Sequence, residues 1–132
     1  VAHRFEINRL DRNSLTYNDL LHRAQLLLRV PEIKEIYNQH YGAVLVDEFQ
    51  DLSLQQLEIS LRSSENRTFV GDPLQGIYTW AGADPNQVQK ILRRLCGEPK
   101  QLDVSYRSAP NILKLLGSVS ESMGGRNSTH KR

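Results

Sequence analysis

The chain has 132 residues, which is enough for one small globular domain. Its 17 basic and 15 acidic residues are interspersed and leave a net charge of +2, so no strong overall field indicates a nucleic-acid partner. The single cysteine, Cys96, excludes an internal disulfide. There is no secretory signal and no apolar run as long as a membrane span, so we expect a cytoplasmic location.

Two helices are predicted ahead of the first strand. The first begins after Thr16, which forms a weak capping box with Asp19 and precedes leucines at helical spacing. Pro31 ends that helix and opens the second, because proline suits the first helical turn. Residues 1–14 show no clear period and predict no element.

An apolar run, residues 43–46 (AVLV), is followed at once by residues 47–51 (DEFQD). Such a run predicts a strand buried on both faces of a parallel sheet. Ligands of these sheets bind beyond the carboxyl ends of the strands. Three carboxylates and an amide there suit a hydrated Mg²⁺ held through one or two carboxylates and substrate phosphates, with an acid that positions water. The alternative is an ordinary polar turn after a strand.

A helix and a second strand follow. Ser53 and Gln56 form a capping box at the start of a helix that carries a stripe of leucines. Residues 68–70 (TFV) predict another short buried strand, which ends in Gly71 and Asp72. The alternation of strand, helix and strand predicts an α/β fold with a parallel sheet flanked by helices.

The last third of the chain contains two more predicted helices. Residues 84–85 (DP) begin the first of them, and Gly97 ends it. Residues 102–104 (LDV) are a candidate third strand, and Ser108 can cap the last helix. Residues 121–132 are rich in small, polar and basic residues and predict a frayed or disordered end.

Three segments resemble the motifs of UvrD/Rep-type superfamily-1 DNA helicases. Residues 44–51 (VLVDEFQD) are similar to motif II, residues 70–83 (VGDPLQGIYTWAGA) to motif III, and residues 102–108 (LDVSYRS) to motif IV. Their order and spacing agree with that family, and the resemblance covers roughly residues 15–117. Three long motifs in sequence are a strong signal, whereas a single Asp-Glu pair is a weak one.

The resemblance implies an ATP site at which residues from three strand ends converge. Asp47 would hold the Mg²⁺ of Mg-ATP, and Glu48 would orient and deprotonate the attacking water. Gln75 would sense the γ-phosphate, and Arg107 would stabilise the transferring phosphoryl group as an arginine finger does. Tyr106 would stack on the adenine, unless it is a packing residue at a strand end.

The resemblance also implies a contact with single-stranded DNA through Tyr78 and Trp80. Stacking of a base on an aromatic ring is worth about 1–3 kcal/mol. The alternative for Trp80 is a buried or half-buried structural role. Its position between Tyr78 and Gly82, after a turn signal, favours exposure.

Other residues receive structural interpretations. Tyr37 and Phe49 are predicted to be core residues, and Cys96 a small buried residue rather than a nucleophile. The four histidines lack the spacing of metal ligands, so they predict no metal site.

The pattern departs from the family in one large respect, because the phosphate-binding loop of the P-loop NTPase type is missing. In the family this loop precedes motif II, so it would lie before Val1. Position 81 is Ala where many relatives have Arg, which puts a polar contact there in doubt. We therefore expect a fragment that does not hydrolyse ATP efficiently on its own.

The expected fragment is a partial RecA-like sheet. Residues 1–97 would form the later part of a first RecA-like domain, residues 98–120 the start of a second, and residues 121–132 a disordered tail. Three functions stay open: an ATP-dependent helicase that moves 3′ to 5′ on single-stranded DNA, the helicase subunit of a helicase–nuclease complex, and a non-hydrolysing module that binds single-stranded nucleic acid. The sequence does not indicate an oligomeric state.

Overall fold

Helices predominate in the computed structural model, which describes residue 12 and residues 14–122. Among these residues the helices are α1 (Tyr17–Leu27), α2 (Pro31–His40), α3 (Leu54–Ser63), α4 (Pro85–Cys96) and α5 (Pro110–Ser122), and the strands are β1 (Val44–Val46) and β2 (Arg67–Phe69). Short 3₁₀ turns lie at Phe49–Asp51, Pro73–Gln75 and Thr79–Ala81. Residues 121 and 122, predicted to fray, are helical, and the rest of that predicted tail lies outside the described residues.

Local capping signals place the starts of α1, α3 and α4 where the sequence predicts them. The Thr16 hydroxyl accepts from the Asp19 N–H at 3.2 Å, and the Asp19 carboxylate accepts from the Thr16 N–H at 2.7 Å. Ser53 and Gln56 form the same reciprocal pair at the start of α3. At the start of α4, the Asp84 carboxylate accepts an N–H of the first turn at 3.0 Å. Each cap satisfies N–H groups that have no partner within the helix.

The sheet consists of two parallel strands among the described residues. Val44 is paired with Arg67 and Val46 with Phe69, and α3 connects the two strands, as predicted for a βαβ unit. The predicted third strand at residues 102–104 is wrong, because this segment forms no strand and is not part of the sheet. A β-strand requires a neighbouring backbone for its hydrogen bonds, and no described segment provides one there.

The prediction that β1 is buried on both faces is also wrong. Leu45 is 78% exposed, although its neighbours Val44 and Val46 are partly covered. The reason is that the described helices pack on one side of the two strands and leave the side of Leu45 open. The sequence therefore carries an apolar strand face that no described residue covers.

The core lies between α3 and α4, directly beneath the polar segment that follows β1. Leu57, Val88 and Leu92 are buried there. Phe49 packs against this cluster together with Leu52, Leu61, Phe69 and Ile91, so the prediction that Phe49 belongs to the core is confirmed. Because Phe49 is anchored in the core, the residues on either side of it have a fixed position relative to both helices.

Three further predictions are wrong, two because no element covers the residue and one because the last helix begins later in the chain than expected. Tyr37 is exposed and packs on the ring of Tyr41, with ring centroids 5.6 Å apart. Cys96 is exposed because the last turn of α4 extends past the core. The last helix begins at Pro110, two residues after Ser108, so Ser108 does not occupy the position just before its first residue.

Glu58 connects α1 to α3 through several hydrogen bonds. Its carboxylate accepts from Arg29 in a bidentate pair at 3.0 and 3.0 Å, from Arg62 at 2.9 Å, and from the side-chain amide of Gln25. The hydrogen bond from Arg29 is the largest cause that lowers the pKa of Glu58 to about 2, from an ordinary value of 4.5. Multiple charge-assisted hydrogen bonds favour the ionised carboxylate.

We expect Glu58→Gln to lower the free energy of unfolding at pH 7 by about 1 kcal/mol, a typical value for a partly exposed ion pair. The folded-state pKa is lowered, so the stabilisation is present above the ordinary value of 4.5 and is lost as the pH falls toward about 2. Urea unfolding of wild type and variant at pH 7 and at pH values down to 2 measures this difference.

Glu35→Gln is the matched control, because among the described residues the Glu35 carboxylate accepts only from Gln39, on the exposed surface of α2. The stability curves of wild type and Glu58→Gln should converge as the solution becomes acidic, whereas Glu35→Gln should change stability little at pH 7. A stability loss at Glu58 that stays constant down to pH 2 would contradict the assigned ion pair.

Candidate functional site

The candidate site lies at the carboxyl ends of β1 and β2. Pairing continues beyond the two strands, because the Val70 N–H donates to the Val46 carbonyl at 2.8 Å and the Phe49 N–H donates to the Val70 carbonyl at 3.0 Å. These bonds bring the segment that follows β1 next to the turn that follows β2. The polar residues of both segments therefore meet at one edge of the sheet, where ligands of parallel sheets bind.

Glu48 has an unusual backbone conformation. Its φ of 54° and ψ of 47° are left-handed, and it is the one non-glycine residue with positive φ in the described part of the chain. This conformation costs on the order of 1 kcal/mol for a residue with a side chain, and such residues cluster at functional sites. The Glu48 N–H donates to Asp47 Oδ1 at 2.9 Å, and both side chains are exposed at the sheet edge.

Gln50 connects the two segments. Its side chain is buried, with 2% of the residue surface exposed. The amide Nε2 donates to Glu48 Oε2 at 2.7 Å, and the amide oxygen Oε1 accepts from the Asp72 N–H at 2.9 Å. From the sequence, Gln50 was expected only as an amide at the strand end, without a role of its own. The available signal was a polar residue directly after the core residue Phe49.

Gly71 is required by the close approach of these segments rather than by its backbone angles. A Cβ atom at this position would lie 2.4 Å from Gln50 Oε1 and 2.8 Å from the backbone nitrogen of Phe49. The backbone atom cannot move away as a flexible side chain can, because Phe49 is held by the core. Glycine at position 71 therefore permits the hydrogen bond between Gln50 and Asp72.

The chain of hydrogen bonds continues to Gln75. Asp72 Oδ1 accepts from the Leu74 N–H at 3.0 Å, and Asp72 Oδ2 accepts from Gln75 Nε2 at 2.9 Å. Glu48 is thus linked through Gln50 and Asp72 to Gln75, whose side chain is exposed. The structure thus links Glu48 to Gln75, two of the residues predicted to share one site, and Asp47 directly precedes Glu48 in the chain.

Arg107 and Tyr106 lie outside this chain of hydrogen bonds. Both are exposed, and 96% of the Tyr106 surface is accessible. The ion pairs and side-chain hydrogen bonds of residues 14–122 do not connect either side chain to Glu48 or Gln75. The helix that follows, α5, exposes four large apolar residues: Ile112, Leu115, Leu116 and Val119.

An exposed aromatic pair follows Gln75 within a few residues. The rings of Tyr78 and Trp80 are 6.1 Å apart at an angle of 51°, and Trp80 is 81% exposed, in agreement with the predicted exposure. Gly82 ends their 3₁₀ turn with a φ of 93°, a conformation that favours glycine. Aromatic faces in this position are available for stacking on a planar ligand.

The acidic side chains of the site have no cationic partner among the described residues. The ion pairs in this part of the chain use other carboxylates, those of Glu58, Glu65 and Glu98. Residues 14–122 contain no cluster of three or more potential metal ligands. Mg²⁺ does not need such a cluster, because it is held by one or two carboxylates with water and substrate phosphates. The exposed carboxylate of Asp47 fits that type of binding.

Comparisons with known proteins show which family the chain resembles. Residues 1–95 match the family described as the UvrD/REP helicase N-terminal domain. The chain is 37% identical to DNA helicase II of Escherichia coli over 115 residues, which cover 83% of the chain and 16% of that relative. It is 31% identical to an ATP-dependent helicase/nuclease subunit from Streptococcus equi subsp. zooepidemicus over 120 residues, 84% of the chain and 10% of that relative.

The chain therefore spans a small part, 16% and 10%, of the length of these two relatives. A similar match, at 36% identity over 115 residues, is found with DNA helicase II of Haemophilus influenzae. No helix in the described part of the chain has both the length and the apolar character needed to cross a bilayer.

Proposed function

This chain belongs to the UvrD/REP helicase N-terminal domain family, and from this premise we propose that it is part of an ATP-dependent helicase that moves 3′ to 5′ along single-stranded DNA. The observation that carries the proposal is the continuous hydrogen-bonded chain from Glu48 to Gln75, with an exposed aromatic pair directly after it. One short segment of the protein therefore connects an acidic sheet edge to a surface suited to stacking.

The acidic sheet edge is assigned to Mg-ATP. Asp47 would hold the Mg²⁺, whose charge, when bound, offsets negative charge on the phosphates. Glu48 would orient the attacking water and accept its proton. Its left-handed backbone conformation supports this role, because such residues cluster at functional sites. Gln75 would contact the terminal phosphate through its side-chain amide.

Tyr106 and Arg107 are assigned to the adenine and to the transferring phosphoryl group. Both roles would require the two side chains to reach a nucleotide at the sheet edge; among residues 14–122 no hydrogen bond or ion pair connects either of them to Glu48 or Gln75. Their exposure and the open apolar face of α5 are in keeping with the proposal that residues 98–120 begin a second RecA-like domain. Residues 1–97 would then belong to the first domain, with a tail at residues 121–132.

The aromatic pair is assigned to single-stranded DNA. Tyr78 and Trp80 follow Gln75 by three and five residues, on the turn that begins after Gly76. A Cβ atom at Gly76 would lie 2.9 Å from the ring of Pro85, so this turn is packed closely against the start of α4. A displacement at Gln75 would therefore be transmitted to the stacking surface over a short, constrained path.

The experiment that tests the function uses the full-length protein, meaning the product of the complete reading frame that contains these residues. We expect ATP hydrolysis that requires Mg²⁺ and is stimulated by single-stranded DNA, and unwinding of a duplex with a 3′ tail in preference to one with a 5′ tail. Absence of DNA-stimulated hydrolysis would overturn the proposal. Preference for the duplex with a 5′ tail would overturn the proposed 3′ to 5′ direction of movement.

Two rival functions have distinct outcomes in the same assays. The similarity to a helicase/nuclease subunit favours a second candidate, the helicase subunit of a helicase–nuclease complex. DNA-stimulated hydrolysis accompanied by DNA cleavage with partner subunits would indicate that candidate. Binding of single-stranded nucleic acid without ATP turnover would instead indicate a non-hydrolysing binding module.

A further inference from the structure

Gln50 is a buried polar residue that the mechanism above does not use. Its surface is 2% exposed, and both ends of its amide are engaged, one with a side chain and one with the backbone. Buried amides that serve only packing do not need to face an exposed carboxylate. Here the donor end points to Glu48, the residue proposed to activate water.

We propose that Gln50 is a positioning residue for ATP hydrolysis, which acts through Glu48 and couples it to the turn that carries Gln75. This inference rests on the proposed function. The Gln50 amide holds the Glu48 carboxylate at one place on the sheet edge and ties that place to the backbone of Asp72. Glu48 is exposed, so without this bond its carboxylate could adopt several rotamers.

The chemistry of the contact requires an amide of this length. Glu48 Oε2 needs a donor, and the Asp72 N–H needs an acceptor, so a side chain between them must supply both. Asparagine is one methylene shorter, and glutamate lacks the donor when it is ionised. The absence of a side chain at Gly71 leaves the space that Gln50 Oε1 occupies.

The same geometry connects Glu48 to the rest of the site. Gln75 donates to the carboxylate of Asp72, and the backbone N–H of Asp72 donates to Gln50. A movement of Gln75 on contact with phosphate would therefore reach Glu48 through a few hydrogen bonds. The Gln50 side chain bonds to Glu48 in the segment after β1 and to Asp72 in the turn after β2.

Gln50→Glu in the full-length protein tests the inference. The substitution preserves shape and an oxygen for the Asp72 N–H, but it places a carboxylate opposite Glu48. We expect kcat of the DNA-stimulated ATPase to fall about 10- to 100-fold, as is typical when a supporting contact of an active-site group is lost. KM for ATP and the affinity for a fluorescent, non-hydrolysable ATP analogue should change by less than about threefold, because Gln50 does not touch the nucleotide.

Gln87→Glu is the matched control, because Gln87 lies exposed on α4 and undergoes the same change of charge. It should leave kcat and KM unchanged. Thermal melting verifies that each variant is folded. If Gln50→Glu does not fold, Gln50→Met is measured in its place, because methionine has similar length and no hydrogen-bonding amide. We expect the same fall in kcat and the same small change in KM.

If the wild-type protein is active, two results would overturn this inference and leave the proposed function standing. In one, Gln50→Glu retains the wild-type kcat; in the other, Gln50→Glu raises KM without lowering kcat. A wild-type protein without DNA-stimulated hydrolysis would overturn the proposed function, and this inference with it. The measurement on the wild-type protein therefore tells the two failures apart.

Discussion

Replacement of Glu48 by glutamine is expected to abolish ATP turnover in the full-length protein while ATP binding is retained. The amide has the shape of the carboxylate, and its oxygen can still accept from Gln50, so the local structure should persist. The amide cannot accept the proton of the attacking water, and loss of a general base costs about 10²- to 10⁴-fold in rate. Steady-state ATPase assays and titration with a fluorescent ATP analogue measure the two quantities separately.

Glu32→Gln provides the control for this variant, because Glu32 is exposed in the first turn of α2. It should leave hydrolysis and nucleotide binding unchanged. Normal hydrolysis in Glu48→Gln would remove the role assigned to Glu48. A loss of ATP binding in that variant, with the fold intact, would show instead that the carboxylate serves binding.

Replacement of Trp80 by alanine is expected to weaken binding of single-stranded DNA about 5- to 150-fold, which corresponds to the loss of one stacked base. Basal ATP hydrolysis should change little, because the Trp80 ring is 81% exposed and contributes little to the core. DNA-stimulated hydrolysis should therefore fall far more than basal hydrolysis. Fluorescence anisotropy with a labelled oligonucleotide and ATPase assays with and without DNA test both statements.

Two further variants separate stacking from other effects. Trp80→Phe keeps an aromatic face and should retain most of the wild-type affinity for single-stranded DNA. Tyr17→Ala removes an exposed aromatic ring from α1 and should have no effect on DNA stimulation. Equal losses of basal and DNA-stimulated hydrolysis in Trp80→Ala would show that Trp80 is structural.

The predicted starts of α1 to α4 agree with the structure because they depend on interactions within a few residues. The caps at Thr16 and Ser53 and the stop at Gly97, whose φ is 82°, need no distant partner. The placement of polar residues at two strand ends was also predictable, since the carboxyl ends of parallel strands lie at the same edge of a sheet. The juxtaposition of Glu48 and Gln75 follows from that rule.

Burial was predicted less well than spacing. Leu45, Tyr37 and Cys96 occupy positions at which the pattern predicts burial, yet all three are exposed. Periodicity indicates which residues share a face of a helix or strand. It does not indicate whether another element covers that face, because cover depends on how distant segments pack.

The amino-acid pattern alone was enough to locate the helices, the two strands and the acidic segment at Asp47 and Glu48, because short-range hydrogen bonds and apolar spacing specify them. The role of Gln50 and the need for glycine at position 71 became visible in the folded chain, where residues more than 20 positions apart are in contact. A hydrogen bond between distant residues depends on three-dimensional geometry, and linear spacing does not encode the distance between Gln50 Oε1 and the Asp72 N–H.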